Sequence, residues 1–178
     1  SDPPVARETP RVAQLYALPR ALTDAGLVRL GFHGLSYEYI VQELRVIDPR
    51  AVDGRVIIAH LGNGASMAAV RRGIGVDTTM GFTPAGGLMM STRSGDLDPG
   101  ALVYLVQSTG MHIDALSRLV HRDAGLLGVS GVSADMQDLL SKEGTDAGAA
   151  EAVNLFCYQA RKFLGALTAV LGGLDTLI

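Results

Sequence analysis

Val56-Ile57-Ile58-Ala59 is an unbroken apolar run, the pattern of a buried strand. It ends at His60-Leu61-Gly62-Asn63-Gly64, where two glycines flank an asparagine. Residues 67–70 and 75–79 read as the two strands of a hairpin turned at Arg71-Arg72-Gly73. Helical patterns then take over. Asp98 followed by Pro99 is a helix start, with Asp as cap and Pro at the first helical position, and the helix should end near Gly110. A shorter helix is expected over residues 113–121, a glycine-punctuated loop over 124–131, and a short helix over 135–141 capped by Ser133. The longest helix is predicted over 146–171. Val153, Phe156, Ala160, Phe163, Leu164 and Leu167 share one of its faces, and Gly172-Gly173 stops it. Residues 174–178 look like a strand that has only begun, which is expected of a chain that continues in a longer parent.

The first third of the chain is patterned more weakly. Residues 1–10 hold three prolines and no period, so they should be irregular. A helical segment bent near Pro19 is expected over 11–25, and a helix capped by Ser36 should run to about Arg45. Asp48-Pro49-Arg50 reads as a linker and as the domain boundary.

Composition narrows the function classes. The net charge is only −3 and the basic residues are scattered, which leaves no electrostatic footprint for nucleic acid. No apolar run reaches membrane-spanning length and no secretory leader is present, so no membrane partner is expected. A single cysteine, Cys157, excludes an internal disulfide and fits a reducing, cytoplasmic compartment. Its helical setting predicts a buried structural thiol rather than a nucleophile.

The candidate chemistry sits between His60 and Gly100. The loop after the first strand can aim backbone N–H groups at one anion, because glycine tolerates the conformations that a nest requires. Arg93 lies in a tight polar turn, Ser91-Thr92-Arg93-Ser94-Gly95-Asp96, just before a helix. A phosphate cradle and a guanidinium on neighbouring loops point to phosphoryl transfer, in which the protein mainly positions groups and stabilises charge. The loop is not a Walker A motif, since no Gly-Lys-Ser/Thr follows it. Blander readings stand beside these. His33 and His60, each before a glycine turn, also fit hydrogen-bonded turn residues, and His60 suits setting up the loop. His112 and His121 read as surface residues. Asp96 and Asp98 could be metal ligands, though Asp98 is more simply a cap. The Met89-Met90 pair reads as core.

The segments GFHGLSYEY (31–39), HLGNGAS (60–66), VDTTMGFTP (76–84), MMSTRSGDLDPG (89–100) and GLLGVSGVSADMQDL (125–139) occur in the order and spacing of the acetate and propionate kinase (acetokinase) family. The chain resembles that family from about Arg11 to Ile178. The resemblance implies an α/β chain of the acetate and sugar kinase, Hsp70 and actin fold, built from RNase H-like domains and truncated at both ends. Residues 1–50 would be the tail of the first domain, and 51–178 most of the second, nucleotide-side domain. It implies ATP-dependent phosphorylation of acetate or propionate to an acyl phosphate, with ATP/ADP and Mg²⁺, and a cytoplasmic homodimer.

By the same resemblance, His33 contacts the transferring phosphoryl group and Arg93 stabilises the transition state and helps hold the carboxylate. His60, Leu61, Gly62, Asn63 and Gly64 form the phosphate loop. Asp135, Met136 and Gln137 pack around the adenosine. Asp2 falls at the catalytic aspartate, and no metal ligand is assigned. The chain also departs from the family pattern. Pro3-Pro4-Val5-Ala6 follow Asp2 where the family has Thr-Ala-Phe-His. Tyr37 replaces a second histidine, Gln137 an arginine, and Ala85-Gly86-Gly87 an acidic position. The family's Asn-rich first loop, a second substrate arginine and a metal-linked glutamate have no counterpart in the chain. An alternative reading is therefore a non-catalytic remnant that at most binds nucleotide or dimerises. A sugar kinase fits less well, because the GFHGLS and TRSGD motifs point to the carboxylate branch.

Overall fold

The computed structural model describes residues 9–178. These fall into two compact units. The first holds the chain through Leu61, Ser66–Pro84 and Lys162–Ile178, and the second holds Gly62–Ala65 and Ala85–Arg161.

The first unit is organised by a sheet of order β3-β2-β1-β4, with β1 at Arg55–Leu61, β2 at Ala65–Arg71, β3 at Ile74–Thr78 and β4 at Thr176–Leu177. The predicted hairpin is present. β2 and β3 pair antiparallel, and Arg72 and Gly73 turn between them with φ of +54° and +74°. Positive φ at both positions matches the twist of the flanking strands. The strand expected over the last residues is present as Thr176–Leu177: β4 pairs parallel with β1, Val56 opposite Thr176 and Ile57 opposite Leu177.

Helices precede the sheet in the chain: α1 (Arg11–Gln14), α2 (Arg20–Asp24), α3 (Gly34–Ile47) and α4 (Pro49–Val52). The helical segment expected over 11–25, with a bend near Pro19, is two separate helices: the chain turns extended at Leu15 after α1, and Pro19 stands just before α2. The linker expected at Asp48 is instead the start of α4: its carboxylate accepts the N–H groups of Arg50 and Ala51, both at 3.1 Å. Tyr37 and Val41 of α3, one helical turn apart, pack with Val52, Val56, Ile58, Ala68 and Val70. The other face of the strands is buried too, at Ile57, Met67 and Ala69. Cover on both faces explains the unbroken apolar run.

In the second unit α5 spans Pro99–Thr109, capped by Asp98 and ended by Gly110 at φ +71° as expected. α6 (Ile113–Arg118) stops earlier than predicted and widens into a π-helical turn, Leu119–Asp123. The glycine-rich stretch expected as a loop contains α7 (Gly125–Ser130). α8 (Met136–Lys142) is capped by Asp135, whose Oδ1 accepts the Asp138 N–H at 2.9 Å, and not by Ser133. The long helix α9 runs Ala147–Leu171, its residues from Lys162 onward belonging to the first unit, and stops at Gly172 and Gly173, both at positive φ. Met89, Leu126, Leu139, Ala149, Ala152 and Val153 form this unit's core. Met89 and Met90 are both buried, as the core reading requires. Cys157 is exposed, against expectation, because it falls between the buried rows of α9. Among the described residues no helix is long and apolar enough to cross a membrane.

Asp175 ties β4 to β1. Its carboxylate accepts from Arg55 Nε at 2.9 Å, Nη2 at 2.6 Å and the Arg55 N–H at 2.8 Å. The guanidinium bonds, and then the backbone bond, pull the carboxyl down to about 2. A carboxylate with a depressed folded value stabilises the fold above its unfolded value and loses that effect as pH falls through the folded one. Relative to Asp175→Asn, the native protein should hold a constant advantage above about pH 5 and lose it between about pH 4 and pH 2. Urea midpoints over that range test this, and parallel curves would refute it. Both groups are solvent-accessible, so added salt should shrink the difference.

Candidate active site

His33 opens α3 from a rare backbone position. Its φ is +63°, in the left-handed region that costs a residue with a β-carbon about 1–2 kcal/mol. Its carbonyl accepts the Tyr37 N–H at 3.1 Å, so the helix begins here and not at the expected cap, Ser36. Ser36 instead puts its Oγ 3.1 Å from His60 Nδ1. The His33 and His60 rings stack, with centroids 4.0 Å apart and planes 20° from parallel. On its other side His33 Nδ1 lies 2.7 Å from Ser66 Oγ. The Tyr37 hydroxyl hydrogen-bonds Ser66 Oγ, and burial pushes its pKa up to about 12. Two of the residues singled out in the sequence, His33 and His60, are thus in direct contact. Ser66 and Tyr37 were missed as site residues. Their signals were the serine closing HLGNGAS and a tyrosine one helical turn after His33.

In the second unit Asn63 and Arg93 belong to hydrogen-bonded loops. The Ser91 N–H donates to the Asn63 carbonyl at 3.3 Å, and Ser91 Oγ donates to Asn63 Oδ1 at 3.4 Å. The nest expected of the flanking glycines is absent. Neither Gly62 nor Gly64 has positive φ, and the Gly62 N–H goes to the Gly64 carbonyl at 3.2 Å. A short link between neighbouring strands uses its own N–H to close the turn. Three left-handed glycines of this unit build the arginine loop instead: Gly87, Gly95 and Gly125 have φ of +86°, +70° and +65°.

That loop is held on every side. The Met90 N–H meets the Arg93 carbonyl at 3.1 Å, and the Ser94 N–H meets the Val120 carbonyl of the π-helical turn at 3.1 Å. The Gly87 N–H donates to Asp96 Oδ1 at 2.6 Å and the Asp96 N–H to the Gly87 carbonyl at 2.8 Å. Asp96 is therefore a loop clasp and Asp98 a helix cap. The Leu126 and Leu127 N–H groups, in the first turn of α7, donate to Met90 and Ser91 at 2.8 and 3.0 Å. Partly exposed Arg93 places Nη1 3.6 Å from Met90 Sδ. The guanidinium is thus carried by a rigid backbone, which suits bidentate anion recognition.

Asp135, Met136 and Gln137 lie in the same unit at the start of α8. Asp135 is occupied as the cap, Met136 packs on the core, and Gln137 is exposed. Asp2 lies outside the described residues. Among those residues no three His, Cys, Asp or Glu side chains converge as a metal cage.

The acetokinase family model matches residues 2–178 of the sequence. The chain belongs to the acetokinase family. This acetokinase chain is 52% identical over 170 residues to an acetate kinase of Rhodopseudomonas palustris strain TIE-1, a match that covers 95% of this chain and 42% of that relative. Its fold is shared with the acetate kinase of Porphyromonas gingivalis, at a TM-score of 0.93 and 38% identity over 99% of this chain and 45% of that one. A propionate kinase from Francisella tularensis matches at a TM-score of 0.92 and 32% identity, over 99% and 46%. The expected fold class therefore holds: a mixed α/β chain with the acetate and propionate kinase fold. The chain spans less than half the length of these relatives.

Proposed function

We propose that the protein containing this chain is an ATP-dependent carboxylate kinase of the cytoplasm that converts acetate or propionate into an acyl phosphate. A carboxylate oxygen attacks the γ-phosphorus, the bridging P–O bond to the β-phosphate breaks, and ADP leaves. The observation that carries this reading is the rigid arginine loop, hydrogen-bonded to Asn63. Charge on the transferring group spreads over several oxygens, and a preorganised guanidinium stabilises it without reorganisation. In this reading Arg93 supplies that charge and helps hold the carboxylate, and His33 contacts the phosphoryl group. The 60–64 loop receives nucleotide phosphates, residues 135–137 border the adenosine, and Asp2 acts at the acceptor side. Magnesium would ride chiefly on the phosphate oxygens, as it commonly does in such sites.

We further assign residues 1–50 to the tail of one domain and 51–178 to most of a second. Self-association of the complete protein is supported by exposed Val103, Tyr104 and Val106 on α5. ATP-dependent acyl phosphate, trapped as a hydroxamate, should form from both acetate and propionate. The two should differ by no more than about 200-fold in kcat/KM, since one methylene is worth about 1–3 kcal/mol. No product from folded complete protein would overturn the kinase reading in favour of a nucleotide-binding or dimerising remnant.

A further inference from the structure

We propose that Asn63 is a site of spontaneous covalent modification: its side-chain amide closes on the Gly64 backbone nitrogen, loses ammonia and leaves a carboxylate in the 60–64 loop. The chemical part stands on the loop itself, and the effect on turnover rests on the kinase reading.

The chain has two asparagines, Asn63 and Asn154. Asn63 is exposed and followed by glycine, so no side chain on the next residue shields the nitrogen that attacks. Among the described residues the Gly64 N–H meets no acceptor, so its proton is open to base. The Asn63 side chain is lightly held. Its one polar contact among the described residues is Ser91 Oγ on Oδ1, and 3.4 Å is long for an O–H···O bond. Asn154 is exposed as well, but it lies inside α9. There the next N–H is committed to the helix ladder, and a leucine side chain follows.

The reaction needs only base and water. Base takes the Gly64 amide proton and the nitrogen attacks Asn63 Cγ. An N–Cγ bond forms, the Cγ–Nδ2 bond breaks, and Nδ2 takes up a proton and leaves as ammonia. Water then adds to either carbonyl of the cyclic imide and one C–N bond breaks. Opening at Cγ gives aspartate. Opening at the main-chain carbonyl gives isoaspartate, with the chain running through the β-carbon. Nothing is oxidised or reduced.

Both products change what the loop can do. Each adds a negative charge where the kinase reading places nucleotide phosphates, and like charges at close range repel. Isoaspartate also displaces the carbonyl that accepts the Ser91 N–H at 3.3 Å, a bond that joins this loop to the arginine loop. The Gly64 N–H that reacts is also a donor that a phosphate would occupy. Nucleotide and modification therefore compete for one nitrogen.

The test incubates the complete protein at mildly alkaline pH and follows its tryptic peptides by mass. Peptide 56–71 should gain one dalton at a rate proportional to hydroxide, and peptide 143–161, which holds Asn154, should lag far behind. Peptide 56–71 should also become a substrate for an isoaspartate methyltransferase. The Asp53-Gly54 pair falls in peptide 51–55 and rearranges without a change of mass, so it does not interfere. Saturating ATP or ADP should slow the gain. Asn63→Gln, whose longer side chain closes a ring far more slowly, should keep its mass at this peptide. Asn63→Asp, an authentic product, should raise KM for ATP about 10-fold or more, with the urea midpoint unchanged. An unchanged mass of peptide 56–71 in the folded protein, while the same peptide free in solution gains a dalton, would overturn the modification. A gain that ATP does not slow, in protein that turns over, would overturn the competition for the Gly64 nitrogen. A mass gain in folded protein without turnover would overturn the kinase reading and leave the modification standing.

Discussion

Replacing Arg93 by alanine is expected to lower acyl phosphate formation by the complete protein by about 10³-fold or more, the scale seen when a guanidinium that stabilises a transferring phosphoryl group is removed. That corresponds to about 4 kcal/mol of transition-state stabilisation. The unfolding midpoint should barely move. The loop is tied by main-chain bonds at Met90, Ser91, Ser94 and Asp96, and truncating the side chain leaves these in place. Arg93→Lys restores the charge but not the planar fork, so it should recover only part of the rate. Hydroxamate trapping gives the rates and urea unfolding gives the stability control. An alanine variant within tenfold of native turnover would remove Arg93 from the transition state.

Gly125→Ala should destabilise the protein by about 3 kcal/mol or more, adding a left-handed penalty of about 1–2 to an overpacking cost of about 1–3. Gly125 has φ +65°, and a β-carbon there would overlap the Met90 carbonyl oxygen. It would also lie 2.8 Å from the Arg93 carbonyl oxygen and 3.0 Å from the Arg93 nitrogen. All three are backbone atoms of the arginine loop, so no side chain can swing aside. Gly131 is the matched control. Its φ is +71°, but a β-carbon there meets nothing within 4 Å. Gly131→Ala should therefore cost only the conformational part, about 1–2 kcal/mol. Urea unfolding of the two variants separates overlap from backbone strain. Equal losses would mean that the arginine loop yields to the added methyl and is not rigid.

The elements that local chemistry dictates were legible in the sequence. The apolar run of β1, the Asp98-Pro99 start and Gly110 stop of α5, the β2–β3 turn and the length of α9 all lie where residue pattern and cap chemistry place them. The misreadings fall where a side chain had more than one possible partner. Ser36 and Ser133 had the right hydroxyl for a cap but were outcompeted by the backbone of His33 and the carboxylate of Asp135. The helical setting of Cys157 predicts a buried thiol, and its position between the buried rows of α9 leaves it exposed.

For the candidate site, the motifs by themselves determined the family and so which residues to examine: His33, His60, Asn63, Arg93 and the 135–137 segment. Only the tertiary structure decided how they are held. The sequence placed the left-handed glycines at the phosphate loop, because Gly62 and Gly64 flank Asn63. In the fold positive φ is found instead at Gly87, Gly95 and Gly125 around Arg93, and at Gly95 and Gly125 backbones from separate segments meet too closely for a β-carbon. The stack of His33 on His60 and the Ser66–Tyr37 contact behind it join residues brought together by packing α3 on β1 and β2. Local pattern reports one residue's own conformational preference. Which donor meets which acceptor across tens of residues depends on the register in which helix and sheet bury their apolar faces, and that register exists only in the folded chain.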